Sequence, residues 1–123
     1  MDTTLWILQI LLAAAFVMTG GAKLLRPRLA LAARMPFVVD FSDVQIKAVG
    51  FLEVVAAAGL TVAPLLGVGR FITPLAALGL VAIMLGAAYT HWRRHEPQSI
   101  AVNAILLLIA AFVAWGRFGP YSF

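Results

Sequence analysis

Long apolar stretches alternate with short polar segments along the whole chain. Residues 3–22, 48–69, 71–92 and 97–116 carry no charged side chain except Glu53. A helix needs about 20 apolar residues to cross a bilayer, and a chain in lipid must pair its own backbone polar groups, which favours helices. The pattern therefore predicts an all-α, integral membrane four-helix bundle in a single domain, 1–123, with helices at roughly 4–24, 44–64, 71–92 and 99–117.

A secretory signal peptide is the alternative interpretation of the first stretch, because the small residues of "TGGAK" resemble a cleavage site. Signal peptides begin with basic residues and have a shorter apolar segment. This chain carries Asp2 instead, so we expect a transmembrane helix.

The connections between the helices differ in length. "APLLGVG" and "WRRHEPQS" are short turns, whereas "RPRLALAARMPFVVDFSD" is longer. Leu29, Ala33 and Met35, beside Arg28 and Arg34, are compatible with a short amphipathic helix at the membrane surface, and an irregular loop is the equal alternative. Ser42 and Gln45 have the spacing of a capping box that opens the second long helix.

The composition supports the membrane assignment. The chain is 63% hydrophobic and 11% charged, whereas soluble domains carry about 25% charged residues. It has no cysteine, which excludes disulfides, thiol redox chemistry and Cys-based metal sites within the chain. The formal net charge is +4, but the basic residues lie at the ends of apolar stretches. We therefore expect the lipid bilayer as the partner, and no nucleic acid.

The basic residues also predict an orientation. The connections that include residues 25–43 and 93–98, with their helix ends, hold most of them: Lys23, Arg26, Arg28, Arg34, Lys47, Arg93 and Arg94. The other side of the membrane holds Arg70 and Arg117. The positive-inside rule thus predicts a multi-pass protein of the cell membrane with loops 25–43 and 93–98 in the cytoplasm and both termini outside.

Four polar residues, one per long helix, fall in the predicted cytoplasmic half of the bundle: Lys23, Glu53, His91 and Asn103. We take these four as candidate ligand-binding residues, with no catalytic residue and no metal site. Lys23 also fits a snorkelling side chain, His91 an interfacial belt and Asn103 a tie between two helices.

Glu53 is the least easily explained of the four. Near the membrane midplane an acidic side chain costs about 2.5–3.5 kcal/mol on insertion scales, so an incidental glutamate is disfavoured. We expect Glu53 to face the bundle interior as a neutral or ligand-shared acid, with a donor from Lys23, Asn103 or a bound ligand; depth makes Asn103 the easiest direct partner. If Lys23 reaches Glu53, a charged pair results instead.

Small residues predict which helix faces pack against protein. Gly50, Ala57 and Thr61 form such a stripe on the second long helix, while Phe51, Val55 and Val62 are expected to face lipid. Two more stripes are predicted on the flanking helices, at Gln9, Ala13, Phe16, Gly20 and Lys23 and at Ala82, Gly86 and Thr90.

Four segments in order, "TGGAKLLRP", "GFLEVVAAAGL", "TPLAALGLVAIMLGAAYTHWRR" and "FVAWGRFGP", resemble the DoxX-like family of small four-helix membrane proteins. The resemblance covers nearly the whole chain, and Lys23 and Glu53 match the polar residues typical of that family. It implies a four-helix bundle linked to membrane redox systems, in some relatives as a subunit of a quinone-linked oxidoreductase.

The function that we predict is an accessory component of a membrane redox system, with an internal polar pocket for a quinone-like or other lipophilic molecule. A redox-protein partner and a homo-oligomer are both compatible with it. A small proton-coupled transporter and a membrane-protein assembly factor are the alternatives. Enzyme activity is disfavoured, because no complete catalytic or redox-cofactor set is present. His91 and His95 are spaced for a metal on a helix, but Pro97 indicates that the helix ends there.

Overall fold

The structure of the chain, a computed structural model, describes residues 2–32 and 35–123. Its helices are α1 (Asp2–Leu25), α2 (Arg28–Leu31), α3 (Asp43–Leu65), α4 (Gly69–Arg93) and α5 (Pro97–Phe118), and a 3-10 segment spans Pro36–Asp40. The helices α1, α3, α4 and α5 are long and apolar enough to cross a membrane. The predicted all-α four-helix membrane bundle is confirmed, and each predicted helix end lies within two residues of the observed one.

Local chemistry sets the helix boundaries. The predicted capping box is present: the Gln45 backbone N–H donates to Ser42 Oγ at 3.1 Å, and the Ser42 N–H donates to Gln45 Oε1 at 2.9 Å. Between α3 and α4, Gly67 has φ +80°, a left-handed conformation that favours glycine. Pro97 occupies the first turn of α5, where its missing N–H has no helical partner to lose.

The four long helices pack in the order α1, α3, α4 and α5, and α1 and α5 meet less extensively to close the bundle. Buried apolar side chains from all four form one core, in which Leu12, Leu60, Leu80 and Val113 are at most 1% exposed. Large apolar residues also cover the outside of the bundle. In water such a surface would drive aggregation, whereas in a membrane it is the surface that faces lipid.

The predicted stripe on α1 is confirmed, and so is the stripe on α3 except at Thr61, which is half-buried and donates to the Ala57 carbonyl of its own helix. Gln9, Ala13 and Phe16 are buried on α1, and on α3 Gly50 and Ala57 are buried while Phe51, Val55 and Val62 are exposed. The side of α3 that carries Gly50 and Ala57 therefore packs on protein, and the side that carries Phe51, Val55 and Val62 faces outward, as the small residues predicted.

The predicted packing row on α4 is wrong. Ala82 and Gly86 are exposed, and a Cβ added to Gly86 would meet no atom within 4 Å. The Thr90 hydroxyl donates to the Gly86 carbonyl of its own helix at 3.0 Å, so it needs no partner on a neighbouring helix. The helix buries a different face, which includes Thr73, Ala77, Leu80 and Met84.

The connection between α1 and α3 folds over one end of the bundle. Leu31, Val38 and Ile46 form a small apolar cluster there. The predicted amphipathic helix included Ala33 and Arg34, which lie outside the described residues. We call this end of the bundle, with the 26–42 connection and the 94–96 turn, the basic end.

Candidate functional site

Two glycines bring α1 and α3 together near the basic end. A Cβ added to Gly20 would lie 2.7 Å from the Gly50 carbonyl oxygen, and one added to Gly50 would lie 2.8 Å from the Gly20 carbonyl oxygen. Distances below 3.0 Å do not occur for real Cβ atoms, so only glycine permits this approach. Lys23 and Glu53 each follow one of these glycines by three residues, about one helical turn.

The direction of the helices then explains why these two side chains meet. Gln9 contacts Leu60, whereas Lys47 contacts Leu24, so α1 and α3 are antiparallel. Side chains on a helix lean toward its N-terminus. Lys23 therefore leans into the membrane and Glu53 leans toward the basic end, and the two converge.

Both carboxylate oxygens of Glu53 have a partner. Lys23 Nζ donates to Oε1 in a salt bridge, and the Thr19 hydroxyl donates to Oε2 at 2.7 Å. Glu53 is 1% exposed and Lys23 is 8% exposed. Such a pair keeps an ionisable side chain inside the membrane without a net charge.

These contacts decide the partner of Glu53. Glu53 faces the bundle interior, as expected, but the expectation that Asn103 is its easiest direct partner is wrong: Lys23 and Thr19 bind the carboxylate. The depth argument failed because a lysine side chain is long and leans toward the N-terminus of its helix. Since Lys23 reaches Glu53, the geometry meets the condition for the charged pair.

A cavity of about 270 Å³ lies beside this pair, between the long helices and the folded connection. Its walls are mainly apolar, and they include Ile46, Val49, Ile83 and Met84. The polar groups at its edge are Lys23, Thr90 and His91. We call it the apolar cavity.

Phe37 covers the side of the apolar cavity that faces the basic end. Its ring centroid lies 5.7 Å from Lys23 Nζ and 5.2 Å from the centroid of the His91 ring, in an edge-on arrangement. The first distance is compatible with a cation–π contact. The 3-10 segment thus places an aromatic ring between the lysine and the histidine.

An ionic network fixes the 3-10 segment to the turn between α4 and α5. Arg94 Nη1 donates to Asp40 Oδ2 at 2.7 Å, and His91 Nδ1 lies 2.8 Å from Glu96 Oε1. The hydrogen bond with His91 lowers the pKa of Glu96, and the hydrogen bond with Asp40 raises the pKa of Arg94. A carboxylate only accepts hydrogen bonds, so Nδ1 of His91 carries the proton.

Asn103 lies at a second cavity of about 370 Å³, which we call the polar cavity. Phe37 and His91 line both cavities. The four candidate residues are therefore related in pairs. Glu53 binds Lys23, Lys23 and His91 line the apolar cavity, and His91 and Asn103 line the polar cavity.

Sequence reasoning missed Thr19 and Phe37 as parts of this region. Thr19 was not among the residues of the predicted α1 stripe. Its spacing of four from Lys23 was the available clue, since residues four apart share a helix face. Phe37 lies in the connection whose conformation the sequence left open. No pattern in that segment indicated which ring would fold over the bundle.

Arg117 was also missed as a buried residue, at the opposite end of the bundle. It is 1% exposed and donates to Gln9 Oε1 at 2.7 Å and to Asp2 Oδ1 at 2.5 Å. Gln9 in turn donates through Nε2 to the Leu60 carbonyl at 2.6 Å. That carbonyl lacks its helical partner because residue 64 is a proline without an N–H, so this cluster satisfies polar groups of the bundle itself.

Within residues 2–32 and 35–123, no group of three or more His, Asp or Glu side chains is arranged to hold a metal ion. His91 instead pairs with Glu96. His95 has φ 58° in the turn after α4, beyond the end of the helix on which the two histidines would have had to share a face.

Comparison with known proteins identifies a family for most of the chain. The sequence model of the DoxX-like family matches residues 7–113, which include Lys23, Glu53, His91 and Asn103. No curated protein matches the chain. No solved structure matches it either.

Proposed function

The chain belongs to the DoxX-like family and is a multi-pass membrane protein, and on this premise we propose that it is an accessory component of a membrane redox system that binds a quinone-like or other lipophilic molecule in the apolar cavity. The observation that carries the proposal is the position of Lys23. Lys23 lines a mainly apolar cavity of about 270 Å³ while its ammonium group pairs with a glutamate that is 1% exposed.

The chemistry of the cavity suits an amphipathic ring compound. Ligand sites are typically apolar with a few convergent polar groups that orient the ligand. Lys23 offers a donor to a carbonyl or hydroxyl oxygen. The Thr90 hydroxyl, which donates to the Gly86 carbonyl, offers an acceptor, and His91 offers a ring nitrogen. Phe37 offers an aromatic face within contact distance of the same groups.

Glu53 has a positioning role in this proposal. It does not line the apolar cavity among the described residues, but it binds Lys23 from within the bundle. A lysine held in this way has a fixed direction and needs no reorganisation to meet a ligand. Thr19 fixes the second carboxylate oxygen and thereby the orientation of the carboxylate.

The transporter alternative receives less support from the same contacts. A proton-coupled carrier needs a carboxyl that exchanges protons with water, and Glu53 is buried with both oxygens hydrogen-bonded. A proton-flux assay with toxic organic cations in proteoliposomes tests this alternative directly. The assembly-factor alternative predicts stable co-purification with a membrane partner but no bound lipophilic molecule.

Binding of decylubiquinone to the protein in nanodiscs tests the proposal, with dodecanol as a compound that has an alkyl chain and only one hydroxyl. We expect saturable binding of the quinone that Lys23→Met weakens about tenfold or more, the value of a lost hydrogen bond to a charged group. Gly86→Leu adds a side chain at the cavity wall, where Gly86 has open space, and should also reduce binding.

Val55→Leu is the matched control, because Val55 is 50% exposed on the outer face of α3. The proposal fails if decylubiquinone and dodecanol bind equally, or if Lys23→Met and Val55→Leu bind the quinone alike. The redox assignment needs a second measurement. Removal of the protein should lower quinone-dependent electron transfer in native membranes, and unchanged transfer would leave a lipophile-binding protein outside the redox system.

A further inference from the structure

We infer that the polar cavity at the basic end is a second binding site, for a small neutral molecule that combines a hydrogen-bond acceptor with an apolar ring or alkyl group. This site is separate from the apolar cavity and does not depend on what that cavity binds. The described residues that line it come from the 3-10 segment and Met35 before it, the last turn of α4, the turn that follows it, and the first two turns of α5.

Asn103 supplies the observation that points to a ligand. The residue is 8% exposed and lines the polar cavity. Its Nδ2 atom is buried and has no hydrogen-bond partner in the part of the chain that the structure describes. An unsatisfied buried donor costs about 1–3 kcal/mol, and buried polar groups in folded proteins are almost always paired.

The charged groups around the cavity already bind one another. Glu96 lies within 2.8 Å of His91 Nδ1 and 3.4 Å from Arg94 Nε, and Arg94 also pairs with Asp40. An anionic ligand would approach the carboxylate of Glu96, and a cationic ligand would compete with Arg94 for it. A neutral molecule is neither repelled by Glu96 nor in competition with Arg94. Its carbonyl or hydroxyl oxygen can accept a hydrogen bond from Nδ2 of Asn103.

The remaining walls define the rest of the ligand. Met35, Phe37 and Val102 give the cavity an apolar side, whereas Ser99 and Gln98 add neutral hydrogen-bonding groups beside Asn103. The volume of about 370 Å³ falls in the range of small-molecule pockets, about 300–1,000 Å³. An aromatic ketone has the required combination of a ring and a single acceptor.

Acetophenone is therefore the probe, and ethylbenzene, which has a similar shape without the oxygen, is its matched control. The side-chain amide of Asn103 is observed by nitrogen–proton NMR of the protein in nanodiscs, and its resonance is assigned by its loss in Asn103→Leu. We expect acetophenone to shift this resonance saturably and ethylbenzene to leave it unchanged. This measurement uses the unmodified protein, so it does not depend on whether a variant folds.

Variant binding adds a second measurement. Asn103→Leu should weaken acetophenone binding about tenfold, which corresponds to one hydrogen bond, while Ile105→Leu on the exposed face of α5 should bind as the unmodified protein does. An amide resonance that does not respond to acetophenone would show that such a molecule does not bind at Asn103, and would overturn the inference. Equal effects of the two probes would overturn the requirement for an acceptor.

Discussion

Removal of Lys23 should destabilise the bundle more than removal of any lipid-facing side chain. In Lys23→Met, Glu53 remains 1% exposed near the centre of α3 and keeps only the Thr19 hydroxyl as a partner. Breaking a buried ion pair from one side costs about 3–5 kcal/mol, because the surviving charge has no partner. We therefore expect a loss of about 3–5 kcal/mol in the free energy of unfolding, measured in bicelles at neutral pH.

Removal of the Glu53 carboxylate should lower the free energy of unfolding less than removal of Lys23 does. In Glu53→Gln, the amide oxygen still accepts a hydrogen bond, and Lys23 is in the last turn of α1, from which its long side chain can extend to the membrane surface.

The single variant Glu53→Leu and the double variant Lys23→Met with Glu53→Leu complete a double-mutant cycle with Lys23→Met. Replacing a buried ion pair by apolar residues of similar volume is often neutral or stabilising, so the double variant should unfold with nearly the free energy of the unmodified protein. The coupling energy of the cycle is then about 3 kcal/mol. Val55→Leu serves as the control. Additive single effects, or a cost of Lys23→Met no larger than that of Val55→Leu, would refute the buried ion pair.

Three further predictions concern other parts of the bundle. Gly50→Leu should destabilise the protein by several kcal/mol in the same unfolding assay, because its Cβ would overlap α1, whereas Gly86→Leu should be tolerated; equal effects would refute the assigned faces. The lowered pKa of Glu96 means that its contacts stabilise the protein above the ordinary pKa and are lost as pH falls through the lowered one. In Glu96→Gln the free energy of unfolding should therefore depend less on pH in that acidic range than in the unmodified protein. The same pH dependence in both proteins would contradict this role of Glu96. Reporter fusions after Arg94 should be cytoplasmic and fusions after Phe123 external; the opposite result would reverse the orientation.

The sequence predicted the four helices well because the physical constraint on them is strong. A single chain segment pairs its own backbone groups within lipid only as a helix, and charges are disfavoured at the centre of that helix. Apolar stretches alone therefore located every membrane-spanning helix within two residues. The small residues of α1 and α3 were equally informative, since Gly20 and Gly50 form the close contact between those helices.

The row of Ala82, Gly86 and Thr90 on α4 shows where small residues do not identify the packed face of a helix. Small residues favour close packing, but they do not require it: Gly86 borders the apolar cavity, and a Cβ added to it would meet no atom within 4 Å. A helix in a membrane has no polar face that marks the outside, so composition gives a weaker indication of the buried face than in soluble bundles. Which face of α4 packs depends on its neighbours, and one sequence does not contain that information.

The four candidate residues were selected from the sequence, but the partner of Glu53 was predicted wrongly. Lys23, Glu53, His91 and Asn103 were selected because polar side chains are costly in a membrane. Depth alone then assigned Asn103 to Glu53, because it ignored the lean of side chains toward the helix N-terminus. The approach of Phe37 depends on a long connection, where the sequence has no periodicity to interpret.

Polar residues inside this bundle divide into two kinds, and the division separates structure from candidate function. Gln9 and Thr73 donate to the backbone carbonyls of Leu60 and Gly59 on α3, at 2.6 and 2.7 Å, and Arg117 binds Gln9 in turn. The donors of Gln9 and Thr73 and the Nε and Nη1 atoms of Arg117 therefore have partners within the bundle, where the low polarity of lipid makes an unpaired group costly. Nη2 of Arg117 has no hydrogen-bond partner among the described residues, but its guanidinium lies 4.0 Å from the centroid of the Phe123 ring. At the basic end, by contrast, Lys23 and Asn103 each border a cavity, and the donor Nδ2 of Asn103 has no partner among the described residues. A polar group that is buried, costly and adjacent to open volume is better explained by a ligand than by packing, and this is why both proposed sites lie at the basic end.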